Sequence, residues 1–442
     1  MSSKRARGRS RRRRGSPKRA RAARRPRRGP DLAPDPDRLA AELAAEIAGE
    51  ARRTVGEVSD GLDAQLWASS LVSTWSFGPL LPPGLDPDEI FGVGLVKALE
   101  EAGDGPALAV LRALAAVGSE RVAAASAEAA ERTAQRGAPE PEWGSELGAA
   151  RPGRAELMRD PVFDDGVSVM VEFERSGREP YTVGAFIDHN LGGLAKDLLV
   201  VGPLDEVARL LPEAPREPGE GSLEVRPIAL EEAGARLREA QSRTERTIDP
   251  PVSEDFASLC AIVTAHARLL PEGSGAFDAE EISEAERDAA VDGFFDSPEG
   301  DRLRDDEDAL DLAMMAVDFG SDYVEGAGRP LRWSPTVVEL FMTGFLPSKA
   351  LCGPEFVDRV PELLRGWVRY AGRARGLRDD SVVLAVSAVD EFVDEMRTAA
   401  GDRASWSPAK AFGMAAVDAG VDMTDEAAMQ AFVDQWNKRL AA

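Results

Sequence analysis

Cysteine and histidine are almost missing from this chain. Two of each, Cys260 and Cys352, His189 and His266, occur in 442 residues. A disulfide framework and a thiolate metal cage are thereby excluded, and the cysteine count favours a reducing compartment. Two histidines leave little for a zinc centre. Long apolar runs are absent too. The longest uncharged stretch, Ala64 to Leu85, is interrupted by Gln65, Gly78 and three prolines, so no membrane span is expected. No apolar segment of the kind found in secretory signals follows the basic N-terminus; Asp31, Asp35 and Asp37 come instead, and a cytoplasmic location is expected. The first 28 residues also contain no acidic side chain.

What that segment does contain is cation. Arg5, Arg7, Arg9, Arg11, Arg12, Arg13, Arg14, Lys18, Arg19, Arg21, Arg24, Arg25, Arg27 and Arg28, with Lys4, make 15 basic residues in 28. The rest of the chain carries 39 basic against 78 acidic side chains. Self-repulsion and the breakers Gly8, Gly15, Pro17 and Pro26 predict a disordered arm over residues 1–37. Such an arm attracts phosphate without a fold, which points to DNA or RNA as a partner. Because it has no aromatic residue, base stacking and sequence reading are not expected. Arginine outnumbers lysine 47 to 7, a bias in keeping with a GC-rich bacterial genome.

The remaining chain is long enough for two or three domains, and three are expected. Residues 38–150 read as a helical domain: Leu39, Leu43 and Ile47 recur every four residues, and Leu66, Trp67, Leu71 and Trp75 share a face. Asp86-Pro87-Asp88-Glu89 reads as a helix start with a capping-box acid, and Pro106 to Val117 and Ser119 to Gln135 follow as Ala-rich helices. Residues 155–250 read as a small α+β domain. Val167, Val169, Val171 and Phe173 alternate with polar neighbours, as do Tyr181, Val183, Ala185 and Ile187, so the two runs predict a hairpin. Strands near Asp197 to Val201 and Leu223 to Pro227, and helices over Pro203 to Leu211 and Leu230 to Thr247, complete it. Residues 251–442 read as helical throughout, with Ser253-Glu254-Asp255, Ser334-Pro335 and Ser407-Pro408 as helix starts and a helix begun by Pro361. The fold class is therefore mainly α with a small central α+β unit. Apolar stripes at Val382, Val386, Val389, Val393 and Met396, and at Met429, Phe432, Val433, Trp436 and Leu440, predict either cores or seams for a protein partner.

Chemistry-bearing groups are sparse. Asp188-His189-Asn190-Leu191-Gly192-Gly193, with Lys196 and Asp197 beyond, is the densest polar cluster, and His beside Asp is the start of a general-base pair. No nucleophile stands at a recognisable spacing, adjacent strand residues point to opposite faces, and turn chemistry explains the same residues. Asp188, His189, Lys196 and Asp197 are thus the candidate catalytic set for a hydrolase-like site. Carboxylates at Glu284, Asp288, Asp292 and Asp296, and at Asp311, Asp318 and Asp322, form acidic faces without the pattern of a calcium loop. No metal or cofactor is expected. Arg365, Arg369 and Arg373 form one basic face, read as paired with acids such as Glu362 and Asp358. His266, at the edge of an apolar stripe, reads as a packed histidine. A helix-turn-helix reading of Ala409 to Leu440 fails because Asp425 and Glu426 would open the recognition helix. Gly92-Val93-Gly94 lacks the rest of a dinucleotide fingerprint, and no P-loop occurs.

The run from Asp63-Ala64-Gln65-Leu66-Trp67-Ala68 through Trp143, with Val183 to Asp197 and its Asp188-His189-Asn190-Leu191-Gly192-Gly193 core, and Pro251 to Phe256, resembles a family of uncharacterised proteins of GC-rich bacteria. The resemblance implies the same order of parts, helical region, α+β unit and helical region, and brings no activity or site residue with it. The expectation from the residues is a non-enzymatic protein whose arm binds nucleic acid, with the hydrolase-like site and a protein-interaction scaffold as alternatives.

Overall fold

The computed structural model describes residues 36–76, 86–210, 221–273, 282–323, 329–422 and 425–440. The arm, Lys4 to Arg28, lies outside the described residues. The chain is mainly helical around one small antiparallel sheet, as the change of period implies.

Helices α1 (Pro36–Thr54), α2 (Gly61–Ser76), α3 (Val93–Ala102), α4 (Gly105–Val117) and α5 (Glu120–Gln135) come first. Their starts follow local chemistry. Asp104 accepts from Ala107 N at 2.9 Å and Ser119 from Val122 N at 3.3 Å, each covering an orphan amide of a first turn. The start before α3 differs from expectation. Asp86 accepts the Asp88 amide, but Glu89 turns to Arg121 at 3.0 Å, and a π-helical turn over Asp88–Gly92 leads into the helix.

The sheet consists of β1 (Arg151–Arg159), β2 (Gly166–Glu174), β3 (Tyr181–Asp188), β4 (Leu194–Val201) and β5 (Glu224–Ile228), in the order β4-β3-β2-β1-β5. The expected hairpin is present, with Val169 opposite Ala185 and Phe173 opposite Tyr181. Strand β1 was not expected. Its Pro152 and Gly153 sit at an irregularity between Pro152 and Ala155, and charges fill most of its other positions. Both faces of the sheet bury side chains. Val167, Val169, Val171 and Phe173 join the large first core, while Met170 packs on the other face with Met158 and Leu204, the latter from α6 (Leu204–Leu210).

Helices α7 (Leu230–Arg246) and α8 (Phe256–Ala267) close the first core, packing on β4 and α2. Although it follows residue 251, α8 belongs to this core, and its Ile262 amide donates to Ser69 Oγ of α2 at 3.1 Å. The expected cap at its start is not made. Ser253 instead donates its hydroxyl to Asp197 and its amide to the Lys196 carbonyl, tying the helix entry to β4. His266 is buried, as its place in the stripe implied, between Phe173 and Tyr181.

The second core is built from α9 (Glu284–Phe295), α10 (Glu307–Asp318), α11 (Pro335–Glu339), α12 (Leu346–Lys349), α13 (Pro354–Ala374), α14 (Asp379–Glu391) and α15 (Val393–Gly401). Helix α13 starts at Pro354, not Pro361, which lies inside it. The stripe Phe356, Val360, Leu363, Leu364, Trp367 and Ala371 points to the core, and this burial offsets the lost helical bond at Pro361. The stripe from Val382 to Met396 spans two helices broken at Phe392, and Val386, Val389 and Met396 are buried. A terminal hairpin of α16 (Pro408–Asp418) and α17 (Glu426–Leu440) follows, joined by Phe412, Phe432 and Trp436. Buried Lys410 anchors it to the carbonyls of Leu346 and Pro347 at 3.3 and 2.7 Å.

Candidate functional site

The candidate cluster sits where the sheet meets the second core. Pairing of Gly166 with Asp188 sets the start of β2 beside the end of β3, so Asp164 and Asp165 lie against the turn at His189 to Leu191. Gly192 and Gly193, at φ +73° and +69°, return the chain into β4, a path that glycine takes without Cβ strain.

These residues do not form a dyad. Buried Asp188 accepts the Asn190 amide at 2.8 Å on one oxygen and Lys196 Nζ at 3.1 Å on the other. His189 turns away from it: Nδ1 stands 3.0 Å from the Asp164 carbonyl and 3.8 Å from the Asp164 carboxylate. Facing an acceptor, Nδ1 carries the proton of the neutral ring. Burial pushes the His189 pKa below its ordinary value, and the nearby Asp164 carboxylate only partly opposes that. Asp197 is exposed and accepts from Ser253 Oγ at 2.6 Å. Of the four candidates, the fold brings Asp188 and Lys196 together and holds His189 and Asp197 apart from them.

The groups that complete the cluster come from far along the chain. Asp165 Oδ1 receives Ser334 Oγ at 2.6 Å, Arg332 Nη1 at 2.9 Å and Asn190 Nδ2 at 3.1 Å. Arg332 also donates to Asn190 Oδ1 at 2.8 Å and to the Asp164 carbonyl at 3.3 Å. Asp164, at φ +56°, pairs with Arg329. Ser334 does two things at once, since its oxygen also accepts the Val337 amide and caps α11. Arg332 is 2% exposed; burial pulls its pKa below the ordinary guanidinium value, and Asp165 and Asp164 oppose that shift. The result is a polar clamp around buried Arg332 that joins the sheet end to the second core, with Asp165 partly and Arg329 half exposed at its edge.

The turn was legible in the sequence; its partners were not. Ser334 was legible as a helix cap, but nothing local marks Arg332 as the partner of an acid 167 positions away. The remaining charged stripes are matched in part within the body. Arg365 pairs with Asp390 and Arg373 with Glu299, rather than with Glu362 or Asp358, and Asp358 is taken by Arg397. On the acidic faces, Arg287 bridges Asp318 and Asp322 at 3.0 and 2.6 Å, and Arg304 reaches Asp296 at 2.6 Å. Among the described residues no group of three or more His, Cys, Asp or Glu is placed to hold a metal ion, and no helix is long and apolar enough to cross a membrane.

No family model, curated protein or solved structure matches this chain.

Proposed function

We propose that this is a cytoplasmic, non-enzymatic protein whose Arg-rich arm binds DNA or RNA through the phosphate backbone without reading sequence. The carrying observation is the segregation of charge: 15 cations and no anion in the first 28 residues, against 39 basic and 78 acidic side chains in the rest. Polycations gain affinity by releasing counterions from the nucleic acid, and need no shaped groove to do so.

The body supports this division of labour. Its guanidinium groups are widely engaged by carboxylates, as in Arg112 with Glu131 and Glu140, Arg359 with Asp306 and Asp308, and Arg287 with Asp318 and Asp322. A surface so matched, and acidic in sum, repels phosphate rather than recruiting it. Affinity then resides in the arm, and the body limits how closely nucleic acid approaches.

The test is fluorescence anisotropy with two unrelated labelled duplexes and one single strand, comparing the full chain with a variant lacking residues 2 to 30. The reading expects full-length protein to bind all three with similar affinity at low salt and the shortened protein to bind none. Equal binding by the two proteins, or a strong preference for one duplex, contradicts it.

A further inference from the structure

A cavity of about 440 Å³ opens beside the clamp, between α9, the segment Arg329 to Arg332 and the end of α13. Its walls are of two kinds. Ile282, Ala289, Leu331 and the Tyr370 ring give it an apolar side, and Arg329, Arg332 and Arg375 bring three guanidinium groups to one place. Two of these charges are already matched one for one, Arg329 by Asp164 and Arg332 by Asp165. The third is not. Arg375 donates Nη2 to the Val162 carbonyl at 3.0 Å, its buried Nη1 has no hydrogen-bond partner, and among the described residues no carboxylate pairs with it. Glu286 also borders the cavity, but its carboxylate is exposed and occupied at the start of α9, accepting the Ser283 amide and hydroxyl at 2.9 and 2.6 Å.

We propose that this cavity is a binding site for a small organic oxyanion, a carboxylate or phosphate monoester on an apolar body, held through Arg375. A half-buried guanidinium left without an anion is costly, and because Nη1 is sealed from solvent and Nη2 is held by the Val162 carbonyl, the ligand engages the group through a rotation of its flexible stem. The apolar wall supplies contact for the ligand's carbon skeleton, the usual make-up of a small-molecule pocket. Burial first, then the neighbouring Arg332 and Arg329 charges, push the Arg375 pKa below its ordinary value, and a bound anion relieves both effects. The described residues that line the cavity lie outside the arm, so neither reading depends on the other.

Sodium benzoate and phenyl phosphate are the probes, titrated into the full chain by calorimetry against sodium chloride at matched ionic strength. Saturable binding of at least one probe is expected, with Arg375→Gln weakening it by about tenfold or more. Ala289→Glu, which adds a carboxylate at the cavity wall while leaving Arg375 in place, is expected to do the same. Far-UV circular dichroism checks that each variant is folded, and if Arg375→Gln is not, Ala289→Glu decides alone. The arm is present in every protein compared, so binding to it cancels. Which probe binds separates the carboxylate source from the phosphate source. No saturable binding of either probe, or undiminished binding by the folded variants, overturns the proposal.

Discussion

Arg332 shows how much one side chain can hold. It is buried, carries a charge, and its donors reach Asp165, Asn190 and the Asp164 carbonyl across the junction between sheet and second core. Removing it takes the guanidinium away from partly buried Asp165 and leaves Asn190 Oδ1 without its donor. Arg332→Met is therefore expected to lower stability by about 2–3 kcal/mol, read from urea denaturation midpoints; a loss below about 1 kcal/mol would show that solvent at the open edge of Asp165 replaces the lost donors. The buried histidines give a pH signature. His266 donates from Nδ1 to the Ile262 carbonyl at 2.8 Å and accepts Tyr181 Oη–H at Nε2, 2.6 Å away. Burial lowers the pKa of both His266 and His189 in the folded chain. The unfolded chain thus takes up their protons first. Their contribution is complete above the unfolded value of about 6.5 and is lost as pH falls below it toward the depressed folded values. His266→Gln cannot titrate, and its stability should fall less between pH 7.5 and pH 5 than that of the parent; equal slopes would refute the assignment.

At the scale of elements, Ser334 and Ser407 allow a controlled comparison. Both cap helices that open with proline, accepting amides at 3.0 and 3.1 Å, yet only Ser334 also donates to Asp165. Ser407→Ala is expected to cost about 1 kcal/mol and Ser334→Ala about 2 kcal/mol, because the second also strips a charge-assisted bond from the partly buried Asp165 carboxylate. Equal costs, measured by denaturation, would mean that the Asp165 contact adds nothing. These caps were legible because the cap residue and the amide it serves are three positions apart. The β2–β3 hairpin was legible for a similar reason, since a period of two along Val167 to Phe173 and Tyr181 to Ile187 is a local signal. Strand β1 was not: Pro152 and Gly153 break its pattern, and its place in the sheet depends on β2 and β5 rather than on its own side chains. The surroundings of the candidate site were hidden on the same ground. Asp188 and His189 look paired in sequence, but their partners are set by long-range packing. Gly184 adds a close approach that no pattern announces, for a Cβ there would stand 2.3 Å from the Val169 carbonyl oxygen. Gly184→Ala should cost about 1–3 kcal/mol through displacement of β3 from β2, and an unchanged midpoint would contradict that spacing.

At the scale of the whole molecule, the chain divides by charge more sharply than by fold. The body unites two cores through the clamp and pairs many of its arginines with its own carboxylates, while the first 28 residues carry cation and no anion. That asymmetry fixes what the account must predict. Binding that rests on phosphate contacts alone has a steep and calculable salt dependence, with log K falling by about 0.9 for each contact per tenfold rise in salt. Engagement of even half the arm, roughly 6–10 contacts, means a loss of about 10³–10⁵ in affinity between about 50 and 200 mM salt. The deciding measurement is a titration of full-length protein into duplex DNA across that range, with and without residues 2 to 30. The account predicts a steep linear decline that disappears together with the arm; a shallow slope, or a slope unchanged by deleting the arm, would contradict it.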